Sequence, residues 1–73
     1  MPYVIEAQAM RGYLCRVSFR VKRDAFAVAQ MCACLLNFPQ AQRDQLKESR
    51  LGPAVPELRV SADGGWVAVK RTE

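Results

Sequence analysis

Three cysteines, Cys15, Cys32 and Cys34, carry the most versatile chemistry in this 73-residue chain. Thiolates bind zinc, attack electrophiles and form disulfides. On a helix, however, Cys32 and Cys34 would project about 200° apart. The chain has no histidine to complete a tetrahedral ligand set, so zinc would need a carboxylate or a second chain as a further ligand. Because an odd number of cysteines is also a poor disulfide framework, we interpret the thiols as core side chains and expect no structural metal and no cofactor.

Acid–base and phosphate chemistry also lack their usual residues. Histidine, the commonest general acid or base, is absent. The seven aspartates and glutamates are scattered over turns, caps and a polar segment, and no cysteine has an evident base beside it. Gly64–Gly65 is too short to cradle a phosphate and lacks the context of a phosphate-binding loop. The sequence therefore predicts that the protein is not an enzyme and has no catalytic residues.

A row of cations on alternate positions is the most concentrated chemical feature. In the segment Tyr13–Lys22, apolar residues alternate with polar ones at a period of two, which places each set on one face of a strand. The predicted basic outer face consists of Arg16, Arg20, Lys22, Arg59, Lys70 and Trp66. Such a platform suits phosphates and base stacking, and a tryptophan beside arginine is typical of protein-binding hot spots. Two alternatives stay open: the cations only solvate an exposed face, or Trp66 turns into the core.

Two strands must position the first part of this face. Tyr3–Ala9 is predicted to pair with Tyr13–Lys22 through the loop Met10–Gly12, because glycine suits the left-handed position of a three-residue hairpin loop. The expected register sets Ala9 opposite Tyr13, Ala7 opposite Cys15, Ile5 opposite Val17, and Glu6 opposite Arg16. This register aligns the apolar faces and also pairs opposite charges on the outer face.

A helix is predicted next, over Ala25–Leu36, with Asp24 as its N-cap. Its bulky face, which we expect to cover the sheet, consists of Val28, Met31, Cys32 and Leu35, with Leu36 at its edge. The opposite side is also apolar and therefore needs its own cover. We expect self-association or partner binding there, through Phe26, Ala27, Gln30 and Ala33.

The second half of the chain predicts a polar helix and another hairpin. Pro39–Arg50 has helical propensity but little apolar surface beyond Ala41 and Leu46, and a turn-rich linker follows over Leu51–Pro56. Strands are predicted over Glu57–Ala62 and Trp66–Arg71, around the turn Asp63–Gly65. The fold class is thus α+β, in the order β-β-α-(α)-β-β, with an antiparallel sheet of four strands and helices on one face. Whether the two hairpins share one sheet stays open.

Composition narrows the class of protein. The apolar fraction is 51%, and no run approaches the length of a membrane span. Because the first residues also do not resemble a secretory signal, we expect one small cytoplasmic domain over residues 1–73. The net charge of +4 favours acidic partners, either nucleic acid or an anionic protein surface.

Two functions fit these features. The first is a protein-binding regulator or inhibitor, for example encoded by a phage or mobile element, that acts on a nucleic-acid-handling complex. The alternative is direct binding of DNA or RNA through the basic face, although the chain has no specific nucleic-acid-binding fingerprint. A homodimer or larger assembly with a structural function is a third hypothesis. No membrane partner is expected.

Overall fold

The computed structural model describes residues 2–10, 12–52 and 54–72, with all side chains in these ranges except those of Tyr13 and Leu14. Its elements are β1 (Tyr3–Ala9), β2 (Gly12–Phe19), α1 (Lys22–Leu35), α2 (Gln40–Arg43), a 3₁₀ turn (Glu48–Arg50), β3 (Glu57–Ala62) and β4 (Gly65–Arg71). The Tyr13 side chain, which the alternation assigns to the apolar face of its strand, lies outside the described residues, as do Arg11 in the predicted loop and Pro53 in the predicted linker.

The four strands form one antiparallel sheet in the order β2-β1-β4-β3. The pairing of β1 with β4 joins the two hairpins, which answers the question that the sequence left open. The α+β class and the order β-β-α-(α)-β-β are therefore confirmed. The helices pack on one face, where the core includes Ile5, Val60, Val67 and Val69.

The first hairpin keeps most of its predicted register. Ala7 pairs with Cys15, Ile5 with Val17, and Glu6 with Arg16. The predicted pairing of Ala9 with Tyr13 is wrong, because an irregularity between Ala7 and Gln8 shifts the register and leaves Ala9 opposite Gly12. Gly12 is consequently the first residue of β2 and not the last residue of the loop.

Helix α1 begins earlier than predicted. It starts at Lys22 after an extended Val21, which has no side-chain cap, so the prediction of Asp24 as N-cap is wrong. Asp24 lies instead in the first turn, where a negative charge interacts favourably with the helix dipole. The helix has 14 residues. None of the helices in the described part of the chain is long and apolar enough to cross a membrane.

The predicted orientation of α1 is only partly right, because Cys32 and Leu36 are buried and Val28 packs against the core, whereas the other two residues of the predicted face are exposed. The side that packs into the core carries mainly small residues, namely Ala25, Ala29, Cys32 and Ala33, together with Phe26. Met31 and Leu35, which we expected to cover the sheet, are 63% and 72% exposed. Side chains that end at Cβ allow a helix backbone to pack close to a sheet, and close packing increases dispersion contacts, so the bulkier side of a helix need not be the buried one.

The polar segment after α1 covers more of the core than its composition predicts. Only Gln40–Arg43 forms an α-helix, in place of the predicted Pro39–Arg50. The chain then turns so that Leu46 and Leu51 become almost fully buried. Leu51, which we assigned to a linker, is therefore a core residue. Both leucines join Phe26 in the cluster on the side of α1 that we expected to be open.

The second hairpin follows its prediction closely. β3 has the predicted bounds, and β4 begins one residue early, at Gly65, so that the turn consists of Asp63 and Gly64. Gly65 has φ +140 and lies opposite both Ala9 and Ala62. Only glycine adopts this backbone conformation readily.

Candidate binding surface on the outer face of the sheet

The outer face is the sheet surface opposite α1. Residues that pair across the strands form rows on it, and the central row consists of Arg16, Glu6, Ala68 and Arg59. One neighbouring row consists of Ser18, Val4, Lys70 and Glu57, and the row on the other side contains Gln8, Trp66 and Ser61. Four of the six residues predicted for the basic face, Arg16, Arg59, Lys70 and Trp66, are therefore brought together on one surface.

Glu6 lies at the centre of the cations. Its carboxylate is 2.6 Å from the Lys70 ammonium and 3.3 Å from Arg16 Nε. The Glu6 side chain is 19% exposed, whereas that of Arg16 is 65% exposed. The hydrogen bond from Lys70, together with the positive charges of Lys70, Arg16 and Arg59, lowers the pKa of Glu6 from its ordinary value of 4.5, although desolvation opposes the shift. Glu6 thus holds two cations at fixed positions.

The lowered pKa of Glu6 predicts a specific dependence of stability on pH. A carboxyl whose pKa is lower in the folded state than in the unfolded chain stabilises the fold at pH values above the unfolded pKa. This contribution is lost as the pH falls through the folded pKa. Glu6→Gln should therefore reduce the unfolding free energy at pH 7 by less than about 1 kcal/mol, because both cationic partners lie at the surface, where solvent screens ion pairs. The difference from the wild type should diminish below pH 4.5. Urea denaturation at pH 7 and near pH 3 measures both values, and a difference that grows in acid contradicts the assignment.

Trp66 and Arg59 form a second pair on the outer face. The Arg59 guanidinium lies 4.3 Å from the centroid of the Trp66 ring, within the range of a cation–π interaction. Trp66 donates its indole N–H to the Gln8 side-chain oxygen at 3.0 Å, and Arg59 also contacts the Glu57 carboxylate at 3.1 Å. Trp66 is half-buried on the outer face, so it is not a residue of the core cluster. We call this pair the Arg59–Trp66 stack.

The outer face has its own small apolar floor. Val4 is 7% exposed and Ala68 is fully buried, although both lie on the side away from α1. Their row neighbours are long side chains, including Arg59 and Lys70, whose aliphatic stems cover apolar surface while their charged ends stay in water. The side chains of the outer face therefore pack against their neighbours in the same row.

Arg20 and Lys22 do not belong to the outer face, so their predicted positions are wrong. β2 ends at Phe19 because the chain bends at Arg20 and Val21 before the helix. Arg20 is exposed beyond the strand. Lys22 lies in α1 and donates from its ammonium to the Leu51 carbonyl at 2.7 Å. Lys22 therefore ties the start of the helix to the end of the 3₁₀ turn.

Three residues that connect the cluster were not among the predicted site residues. Glu6 bridges Arg16 and Lys70, Gln8 accepts from Trp66, and Glu57 pairs with Arg59. The hairpin register already indicated the contact of Glu6 with Arg16. The contacts of Glu6 with Lys70 and of Gln8 with Trp66 depend on the pairing of β1 with β4, for which the sequence carries no local signal. Glu57 and Arg59 are neighbours on one face of β3, so their contact follows from the alternation within a single strand.

The helix side predicted to bind a second molecule is mostly covered by the chain itself. Phe26 and Ala33 are buried, so they cannot form an open interface. The Gln30 amide donates to the carbonyls of Arg43 and Leu46, at 2.9 and 2.7 Å. Of the four predicted residues, Ala27 alone is exposed. The segment that contains Leu46 covers this side of α1. Its polar composition gave no indication of such packing.

Comparisons with known proteins add no constraint on function. No protein-family model matches the chain, and neither curated proteins nor solved structures give a significant match. The chemistry of the described residues is therefore the basis for a functional proposal. That chemistry concentrates on the outer face, where an aromatic ring, three cations and two carboxylates form two neighbouring networks, Arg16–Glu6–Lys70 and Glu57–Arg59–Trp66.

Proposed function

We propose that this protein is a non-enzymatic binding module that docks the outer face of its sheet on an acidic protein surface. The Arg59–Trp66 stack carries the proposal, because it combines an aromatic ring and a guanidinium on one accessible surface. Tryptophan and arginine dominate the energetics of protein interfaces. Gln8 and Glu57 already hold the two side chains in place, so little conformational entropy is lost when a partner binds.

The geometry favours a protein partner over nucleic acid. Base stacking needs an open ring face, whereas Arg59 already lies over the Trp66 ring. Binding along a run of phosphates depends on the number of cations that neutralise them, whereas the outer face has three cations beside two carboxylates. These three cations and two carboxylates leave a single net positive charge, which suits the mixed polar rim of a protein interface better than a run of phosphates.

The partner that we propose is a component of a nucleic-acid-handling complex, on which this protein acts as a regulator or inhibitor. Proteins of such complexes present acidic surfaces as well as basic ones, and the net charge of +4 favours association with an acidic surface. A gene carried by a phage or mobile element is a source consistent with so small a module. Direct binding of DNA or RNA is the competing outcome of the experiment below.

Capture from a lysate of the native host, with and without nuclease, separates the two functions. We expect a specific protein to remain bound to the full chain after nuclease treatment. Loss of every bound protein after nuclease treatment, together with retention of radiolabelled nucleic acid by the purified protein, would overturn the proposal in favour of nucleic-acid binding.

Removal of the outer-face cations should weaken capture far more than an equal change of net charge elsewhere. The test variant carries Arg16→Ser, Arg59→Ser and Lys70→Ser. The matched control carries Arg23→Ser, Lys47→Ser and Arg50→Ser, which replace three exposed cations of α1 and the segment around the 3₁₀ turn. Both variants should fold, because none of the six replaced residues is buried and surface substitutions change stability by about 0.5 kcal/mol each.

The two variants are compared by titration with the captured partner over a range of salt concentrations. We expect the affinity of the test variant to fall at least about tenfold, with a weak salt dependence for both proteins. Equal binding by the two variants would show that the outer face is only a solvated surface. A slope of log affinity against log salt that flattens by about 0.7–0.9 for each lost cation would indicate phosphate contacts.

A further inference from the structure

Two of the three thiols lie close together in space, although an odd number of cysteines does not suggest a pair. Cys15 Sγ and Cys32 Sγ lie 3.5 Å apart, although the residues are 17 positions apart in sequence. Cys15 is half-buried on the edge strand β2, and Cys32 is 6% exposed on α1. We propose that Cys15 and Cys32 are a redox modification site, in which a small-molecule disulfide of the glutathione class oxidises the two thiols to an intramolecular disulfide.

The two sulfur atoms already lie close together. A disulfide has a sulfur–sulfur distance of about 2.05 Å, so each sulfur would move by roughly 0.7 Å along the line between them. Cys34 is exposed, so its interpretation as a core side chain is wrong. It is not a competing partner, because its sulfur contacts the Arg43 guanidinium at 3.4 Å. Cys32 and Cys34 are two positions apart on the helix and therefore project about 200° apart, so Cys34 points away from the Cys15–Cys32 pair.

The accessibility of the two thiols sets the order of the reaction. Burial, followed by the contact with Cys15, raises the pKa of Cys32 to about 11, so Cys32 stays protonated at neutral pH and is a slow first nucleophile. Cys15 lies at the sheet edge and meets the reagent first. Its thiolate attacks one sulfur of the small-molecule disulfide and displaces one thiolate.

The second step closes the intramolecular bond. Cys32 gives up its proton as its sulfur attacks Cys15 Sγ, and the remaining thiolate of the reagent leaves. The two protein thiols lose two electrons in total, the reagent is reduced to two thiols, and the protons of Cys15 and Cys32 go to the two released thiolates. No further oxidant is required.

The bond would make the stability of the fold depend on redox conditions. It would join the edge strand β2 to α1, and a cross-link of this span restricts the unfolded chain. A domain of this length buries a limited core, so the restriction has a large relative effect. Oxidation should therefore raise the thermal unfolding midpoint by about 10 °C.

The experiment treats the full chain with glutathione disulfide and compares it with chain kept in dithiothreitol. After alkylation, mass spectrometry should show the loss of two hydrogens and one alkylated cysteine, and peptide mapping should place the bond between Cys15 and Cys32. The unfolding midpoint should rise and return to its starting value after reduction.

Two variants separate this site from general thiol oxidation. Cys34→Ser should keep both the bond and the shift in midpoint, whereas Cys15→Ser should lose both. If Cys15→Ser does not fold, the peptide map of the Cys34→Ser variant alone shows whether the bond joins Cys15 and Cys32. A stable glutathione adduct on Cys15, or a bond that includes Cys34, would overturn the proposal.

Discussion

Replacement of Gly65 with alanine is expected to destabilise the fold by roughly 3–5 kcal/mol, from strain in the backbone and steric overlap. A methyl group at this position would overlap the Gln8 carbonyl oxygen and lie 3.0 Å from Ala9 Cα. Neither atom can move easily, since both belong to β1 at the centre of the sheet. The φ of +140 adds strain for any side chain. Because small domains have a total stability near 5 kcal/mol, the variant should be largely unfolded at 37 °C.

Gly52→Ala is the matched control for this prediction. A methyl group at Gly52 would meet no atom within 4 Å, so the change should alter stability by no more than about 1 kcal/mol. Circular dichroism during urea titration measures both variants. If Gly65→Ala unfolds at the same urea concentration as Gly52→Ala, the close packing of β4 against β1 at this point is not a feature of the protein.

The two hairpins were predictable because local patterns determine them. A period of two over Tyr13–Phe19 distinguishes the two faces of β2, and the charges of Glu6 and Arg16 select the register. Asp63 and Gly64 mark the second turn in the same way. These signals lie within a few residues of one another, so the sequence shows them without knowledge of the tertiary structure.

The orientation of α1 was not predictable by the same method. Its residues are apolar nearly all round, so hydrophobic periodicity does not identify the buried side. Side-chain size favours burial of the side with the larger residues, yet Ala25, Ala29 and Ala33 are buried while Met31 is exposed. Leu46 and Leu51 complete the same core cluster, although their segment is polar in composition. Only the path of the chain after the helix reveals this cover.

The candidate site was predictable in its residue types and not in its connections. Alternation placed Arg16, Arg59 and Lys70 on the outer face, as the structure shows. The same alternation extends β2 too far, to Lys22, because alternation does not show where the chain leaves a strand and enters a helix. The bridge from Glu6 to Lys70 joins strands that are distant in sequence. Long-range pairing therefore decides which cations are free and which are paired.

Replacement of Trp66 with alanine is expected to weaken binding of the captured protein partner by about 30-fold or more, which corresponds to the loss of a hot-spot side chain. The fold should persist, since Trp66 lies on the outer face and outside the core cluster. Circular dichroism checks the fold, and calorimetric titration with the purified partner measures the affinity. Trp66→Ala also releases Arg59 from the ring, so part of the loss reflects a guanidinium that is no longer held in position.

Two further variants divide the contribution of Trp66 into its parts. Trp66→Phe keeps an aromatic ring for Arg59 but removes the indole N–H that Gln8 accepts, so it should retain more affinity than Trp66→Ala. Gln8→Leu removes the same hydrogen bond and leaves the indole in place, so its effect should be small. A folded Trp66→Ala protein that binds the partner as tightly as the wild type would remove the Arg59–Trp66 stack from the interface. Ala68 and Val4 would then remain as the floor of a surface whose cations serve only to hold the strands of the sheet together.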